Sequence, residues 1–201
     1  METVTGFIFR IGEYISSGGV VMIPLFGVSF VMWVLIIRRA LLLRTLAGGR
    51  ISRVQAGELI LSNRMPDAGC RGANALLVRE FLSRRVGDPS VDSFILDETV
   101  MRIVSSLNRH QRLIEVLAAA APLLGLLGTV MGMMMTFKAI TVFGAGNVRA
   151  MAGGISSALI TTQTGLVIAI PGLYMSGFLA RRAANLQRRV ASAAIYLKRF
   201  L

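Results

Sequence analysis

The chain has 201 residues, 54% of them hydrophobic and 16% charged, with a formal net charge of +12. A soluble domain of this length is rarely so apolar, so a membrane protein is the first class to test. A single cysteine, Cys70, excludes an intrachain disulfide framework.

The positive charge alone would suit a nucleic-acid binder. Its distribution points elsewhere. Thirteen of the 22 Lys and Arg lie between Arg38 and Arg112, and six more between Arg181 and Arg199. Aromatic side chains do not interleave these basic stretches, as a single-strand-binding surface would require. Residues 15–37, 116–137 and 150–180 carry no charge, and a membrane helix needs about 20 such residues. Three spans put the basic 38–115 segment and the C-terminus on one side, which the positive-inside rule makes cytoplasmic.

In chain order, residues 1–14 mix Phe7, Ile8, Phe9 and Ile11 with Glu2, Arg10 and Glu13. They read as an N-terminal interfacial helix on the outer side. They lack the basic start and small-residue cleavage site of a signal peptide, so the first span, 15–37, is expected to be retained. Trp33 stands near its cytoplasmic end, at headgroup level. Residues 38–115 read as a cytoplasmic helical domain. Ser52 and Gln55 fit a capping box for a helix over 53–62. A second helix over 74–86 has Val78, Phe81 and Leu82 on one face and Gly87 as its stop. Asp88-Pro89 reads as an N-cap followed by proline at the first helical position. Ile95, Val100, Ile103, Val104 and Leu107 then recur at helical spacing. No breaker precedes Pro122, so one helix is expected from Pro89 to Ile140, about 75–80 Å at ~1.5 Å per residue. Its end, 116–140, is the second span. A loop over 141–152 leads to the third span, 153–180. Residues 181–201 form a basic amphipathic helix, with Leu186, Val190, Ile195 and Leu197 apolar, suited to anionic lipid or to its own neighbours.

Catalysis finds no support. His110 lies among Arg109, Gln111 and Arg112 and reads as an exposed helix residue, and no P-loop, GxSxG or metal-ligand spacing is present. The chain reads as a non-enzyme with no cofactor and no metal. What needs explaining is polarity inside the spans. Ser156, Ser157, Thr161, Thr162, Gln163 and Thr164 crowd the third, with Ser157, Thr161 and Thr164 on one face, and Thr129 and Thr136 lie in the second. Membrane hydroxyls can bond their own backbone, but such a cluster should face a bundle interior or a wet path rather than lipid. Gly125, Gly128, Gly132 and Gly165 would let helix backbones approach closely. No carboxylate, histidine or lysine lies in residues 15–37, 116–137 or 150–180. A proton path would need a partner to bring the acid.

The segments APLLGLLGTVMGMMMTF (121–137) and GGISSALITTQTGLVIAIPGLY (153–174) resemble the second- and third-helix signatures of the MotA/TolQ/ExbB proton-channel family, in its ExbB/TolQ-like branch. The resemblance implies an all-α membrane protein with three transmembrane helices and long cytoplasmic helical extensions. It implies a bacterial inner-membrane subunit with periplasmic N-terminus and cytoplasmic C-terminus. It implies a homo-oligomer, a pentamer, around an ExbD- or TolR-like one-span subunit that supplies a membrane aspartate. A TonB- or TolA-like protein would carry the work of the proton motive force to the outer membrane, for biopolymer or siderophore uptake or envelope maintenance. By resemblance, the path threonines fall on Thr129 and Thr162, with Thr161, Ser157 and Thr136 as further candidates. ExbB and TolQ usually carry a glutamate where this chain has Ser157, so that residue's role does not transfer. Membrane lipids are the remaining partner, and nucleic acid is not one. A non-conducting membrane scaffold is the alternative, and hydroxyls would serve sodium as well as protons.

Overall fold

The computed structural model describes residues 12, 17–48, 51–66, 72–144 and 147–200. The expected N-terminal interfacial helix and Cys70 fall outside them, apart from Gly12. Among the described residues the α-helices are, in order, α1 (Met22–Ala47), α2 (Arg53–Leu61), α3 (Ala73–Leu82), α4 (Pro89–Asn108), α5 (Gln111–Phe143) and α6 (Val148–Leu197), with a short 3-10 turn at Lys198–Phe200. No strand occurs among the described residues. The chain is all-α, and α1, α5 and α6 each contain a stretch long and apolar enough to cross a membrane.

The chain divides into two compact units. One comprises Leu113–Ser176 with the described residues up to Ile36; the other comprises Ile37–Arg112 and Gly177–Leu201. In the first, the apolar unit, α1 begins at Met22 after a turn in which Gly19 takes a φ of +71°. Such a backbone is open to glycine without strain. Met22, Leu25, Met32 and Ile36 form its buried face. On α5 the buried residues are Ile114, Ala118, Ala121, Gly125, Gly128, Gly132 and Thr136. They recur every three or four positions, so they make one narrow stripe, and every one within the apolar span is small. The other side of α5, with Leu123, Leu126, Val130, Met134 and Phe137, is exposed. That distribution suits a solvent as apolar as the side chains themselves. Pro122 lies within α5 without ending it. Neighbouring helices and local adjustment make such prolines tolerable in membrane helices.

The second, charged unit folds by the opposite rule, with large side chains inside. Ile60, Leu77, Val78, Phe81, Leu96, Ile103, Leu107, Leu186, Val190 and Leu197 are buried. Its local signals are read directly. The Ser52–Gln55 capping box closes reciprocally at 3.2 and 3.0 Å. Asp88 caps α4 by accepting from the Ser90 N–H at 2.9 Å, with Pro89 at the first helical position. The helix expected over 74–86 stops at Leu82, because the following turn folds back onto Asp92. That carboxylate, 1% exposed, accepts from the backbone N–H of Val86 at 2.9 Å and Gly87 at 3.3 Å and pairs with Arg85 Nε at 3.2 Å. Arg85 also donates from Nη1 to the Ile60 carbonyl at 2.9 Å, tying α2 to the same turn.

Two expectations are corrected. The single helix from Pro89 to Ile140 is two helices. Arg109 leaves helical geometry (φ −56°, ψ 135°) and His110 takes a φ of +65°. Histidine enters the left-handed region more readily than most residues, and the Arg109 carbonyl accepts from Arg39 Nη1 at 2.7 Å. His110 is exposed, at a break rather than within a helix. Conversely, the third apolar stretch and the basic C-terminal segment are one 50-residue helix, α6. Its buried stripe in the charged unit is Ala183, Leu186, Val190, Ala193, Ala194 and Leu197, while Ile195 is exposed.

Asp92→Ala should lower stability by about 3 kcal/mol, the scale for removing one side of a buried ion pair, read as a drop in melting temperature of the purified protein. Two exposed carboxylates set a pH dependence. The Ser90 hydroxyl and N–H hold Asp88 below its ordinary value of 3.8. Hydrogen bonding to, and the charge of, Arg102 hold Glu98 below 4.5. Folded values below unfolded ones mean support that is complete above those ordinary values and lost as pH falls through the depressed ones. Asp88→Asn, which keeps the capping oxygen, should flatten part of that acid-side loss in a thermal melt taken across pH.

Candidate functional site

Within the apolar unit, α5 and α6 meet along a seam of glycines. A Cβ placed on Gly132 would stand 2.7 Å from the Gly154 carbonyl oxygen and 2.8 Å from both N and Cβ of Ala158. On Gly165 it would stand 2.8 Å from the Ala121 oxygen and 3.2 Å from the Gly125 Cα. On Gly125 it would stand 3.1 Å from the Thr161 oxygen and 3.2 Å from the Thr162 Cα. On Gly128 it would fall on the Thr161 side chain, and on Gly154 on the Thr136 hydroxyl. At Gly132, Gly165 and Gly125 the neighbours include backbone atoms, at Gly128 they are the Thr161 side chain, and each position is tight for a larger residue. Gly172 extends the seam to α1, with its absent Cβ 2.8 Å from Met32 Cε and 3.3 Å from Ala118 Cβ.

The seam sorts the candidate hydroxyls into two groups. Thr161, Thr136, Ser157 and Thr164 are buried. Thr161 Oγ1 donates to its own helix, at 2.9 Å to the Ala158 carbonyl and 3.2 Å to that of Ser157. Thr136 does the same to Gly132 at 3.1 Å and reaches the Met151 carbonyl at 3.5 Å. Thr164 bonds the Ile160 carbonyl at 2.7 Å. Bonding back along the helix satisfies each hydroxyl in place, so Thr161 and Thr136 fill the hollows that Gly128 and Gly154 leave. Ser157 lies against Gly19, its Oγ 3.6 Å from where a Cβ there would be.

Thr129 and Thr162 are half-exposed, on the rim of the seam. Thr162 Oγ1 lies 3.3 Å from the Gly125 carbonyl on α5 and 3.4 Å from the Ala158 carbonyl on α6. In an α-helix the Gly125 carbonyl also accepts the N–H four residues on, which belongs to Thr129. The Thr162 hydroxyl and the Thr129 backbone N–H therefore meet at one peptide oxygen, and Gly125 makes that possible by letting Thr162 come close. Thr129 Oγ1 donates to the Leu126 carbonyl at 2.6 Å. Ser156 and Gln163, seven residues apart on α6, are exposed. Sequence periodicity does not reveal this sorting: Thr161 and Thr162 are adjacent, and only the position of Gly125 and Gly128 opposite them separates one from the other. Gly154 and Gly172, also part of the seam, carry no pattern signal of their own.

No group of three His, Cys, Asp or Glu capable of holding a metal occurs among the described residues. The site can align hydroxyls and carbonyl oxygens. It has no titratable group of its own.

The model of the MotA/TolQ/ExbB proton channel family matches residues 72–192, from α3 to most of α6. The chain belongs to that family. Its relatives place it in the ExbB/TolQ-like branch. It is 29% identical over 197 residues to an ExbB-like biopolymer transport protein of Synechocystis, covering 92% of this chain and 93% of the relative. It is 33% identical to the biopolymer transport protein ExbB of Aquifex aeolicus over 55% of this chain and 71% of the relative. It is 26% identical to the Tol-Pal system protein TolQ of Haemophilus influenzae over 84% of this chain and 81% of the relative. The chain is thus a multi-pass membrane protein of a channel family rather than of an enzyme family.

Gly132→Ala should destabilise the apolar unit by about 1–3 kcal/mol, the usual cost of overpacking, because two of the three atoms in its way are backbone. Gly153→Ala, with nothing within 4 Å of its added Cβ, should leave stability unchanged or slightly raised. Melting temperatures of the two purified variants in one detergent test the contrast.

Proposed function

We propose that this chain is the stator-like ring subunit of a proton-driven inner-membrane complex. One observation carries the reading: the stretches 116–137 and 150–180, rich in aligned hydroxyls, hold no carboxylate, histidine, lysine or arginine. A membrane proton path normally contains an ionisable group, so a partner must complete it. An ExbD- or TolR-like one-span subunit with a membrane aspartate fits that gap. Five copies of this chain enclose its helix, with the N-terminus periplasmic and the C-terminus and charged unit cytoplasmic. A TonB- or TolA-like protein delivers the work to the outer membrane, for biopolymer or siderophore uptake or envelope maintenance. The drive is about 2.3 kcal/mol per charge per 100 mV.

Thr129 and Thr162 line the path in this reading, since they are half-exposed and share the Gly125 carbonyl region. Thr161, Thr136 and Ser157 support it from within the seam. The absence of a glutamate at Ser157 favours a second reading, a scaffold that assembles a complex without conducting. Co-expression with the one-span partner, followed by native mass spectrometry, separates the two. A ring with the partner inside supports the motor, and a ring that never takes it up supports the scaffold. Thr162→Val should then keep the assembled mass yet abolish proton flux in reconstituted vesicles. A variant that assembles and still conducts normally would remove Thr162 from the path.

A further inference from the structure

In the charged unit a cavity of about 170 Å³ opens between the end of α1 and α6, lined by Leu43, Ala47, Arg182, Asn185, Leu186 and Arg189. Two guanidinium groups and an amide share it with an apolar wall. Neither Arg182 nor Arg189 is in an ion pair among the described residues. Arg182 instead lies over the Phe178 ring, 4.7 Å from its centroid. Asn185 accepts from Arg188 Nη2 at 3.0 Å through its oxygen, which leaves its N–H donors for the cavity. No acidic residue occurs in 37–48 or 177–201, while Arg38, Arg39 and Arg44 add charge on the α1 side.

The place along each helix matters as much. The charge-free stretches end at Ile37 and Ala180. Leu43 is six residues past the first and Arg182 two past the second, about 9 and 3 Å along the axes at ~1.5 Å per residue, and the cavity runs outward from there to Ala47 and Arg189, about 15 and 14 Å along. Headgroups occupy roughly the first 5–8 Å outside the hydrocarbon. The volume suits a phosphate group with a few waters, each water taking about 30 Å³. Cation-lined pockets just beyond membrane helices are suited to anionic headgroups.

We propose that this cavity binds the phosphate of an anionic phospholipid, in the leaflet beside the charged unit. Arg182 and Arg189 pair with the phosphate, Asn185 donates to it, and Leu43, Ala47 and Leu186 form the apolar wall beside it. The site depends on the chain's membrane topology and not on whether the complex conducts.

The test is native mass spectrometry of the full-length oligomer in detergent, titrated separately with phosphatidylglycerol, phosphatidylcholine and inorganic phosphate. Phosphatidylglycerol should be retained and phosphatidylcholine should not. R182Q/R189Q should weaken phosphatidylglycerol retention about tenfold or more, the scale for losing two cations beside an anionic lipid. A47W, which fills the cavity without changing charge, should weaken it too, and keeps the test open if the double variant fails to assemble. R199Q, on the same basic segment outside the cavity, should retain lipid as the parent does. Parent-like retention in R182Q/R189Q or A47W would overturn the site. Equal loss in R199Q would overturn it in favour of diffuse attraction. Inorganic phosphate that binds the parent and displaces the lipid would overturn the lipid as its source.

Discussion

The apolar unit depends on backbone contact at glycine. In a bilayer, burying a leucine against another helix gains little over leaving it in lipid, so close packing and hydrogen bonding must hold helices together. The buried stripe of α5 follows from this constraint. Each glycine at 125, 128 and 132 faces a part of α6 that leaves no room for a Cβ. The glycines carry a helix-propensity cost of roughly 1 kcal/mol each in water. That cost is offset by a seam close enough for Thr162 to reach a carbonyl of the opposite helix. Thr161 and Thr136 occupy the remaining hollows and bond to their own turns, so polar atoms enter the seam without being left unsatisfied.

The charged unit answers to water. Its core is built from Leu, Ile, Val and Phe, and its turn after α3 is organised by a buried carboxylate that collects two backbone N–H groups and an arginine. A charge buried there is stable only because its partners converge on it. Ion pairs at the surface, such as Lys198 with Asp97 at 2.6 Å, contribute little by comparison. The chain changes from one physics to the other beside Arg109–His110, where α4 ends. The uninterrupted apolar pattern does not announce that break.

What was legible in the residues was local. The capping box at Ser52, the Asp88-Pro89 start and the three uncharged stretches each follow from a few neighbouring side chains. What was not legible depended on partners far along the chain. The break at His110 involves Arg39, seventy residues away. The continuity of α6 is hidden by the switch from apolar to charged residues at Arg181, which marks a boundary of polarity and not of helix, since no breaker stands there. The burial of Asp92 is set by a turn that precedes it and by Arg85. The apolar spacing on α4 points to Ile95, Val100 and Val104 as well as Ile103 and Leu107, whereas the buried residues are Asp92, Leu96, Thr99, Ile103 and Leu107. A polar residue on the inner face, Asp92, shifted the apparent phase.

The sorting of hydroxyls bears on what a partner's carboxyl would meet. Thr129 gives its proton to Leu126, and Thr162 directs its own toward Gly125 and Ala158. A hydroxyl whose proton is committed to backbone offers its remaining lone pairs as acceptors. Such a rim favours a donor: a water, or a carboxyl in its protonated form. It does little for a bare carboxylate, whose charge in a medium of low dielectric is costly without donors around it. In the motor reading, then, the two threonines stabilise the neutral acid during passage. Deprotonation belongs where water, not the glycine seam, surrounds the carboxyl. That asymmetry needs no acid or base from this chain, which agrees with the absence of charged residues from 116–137 and 150–180.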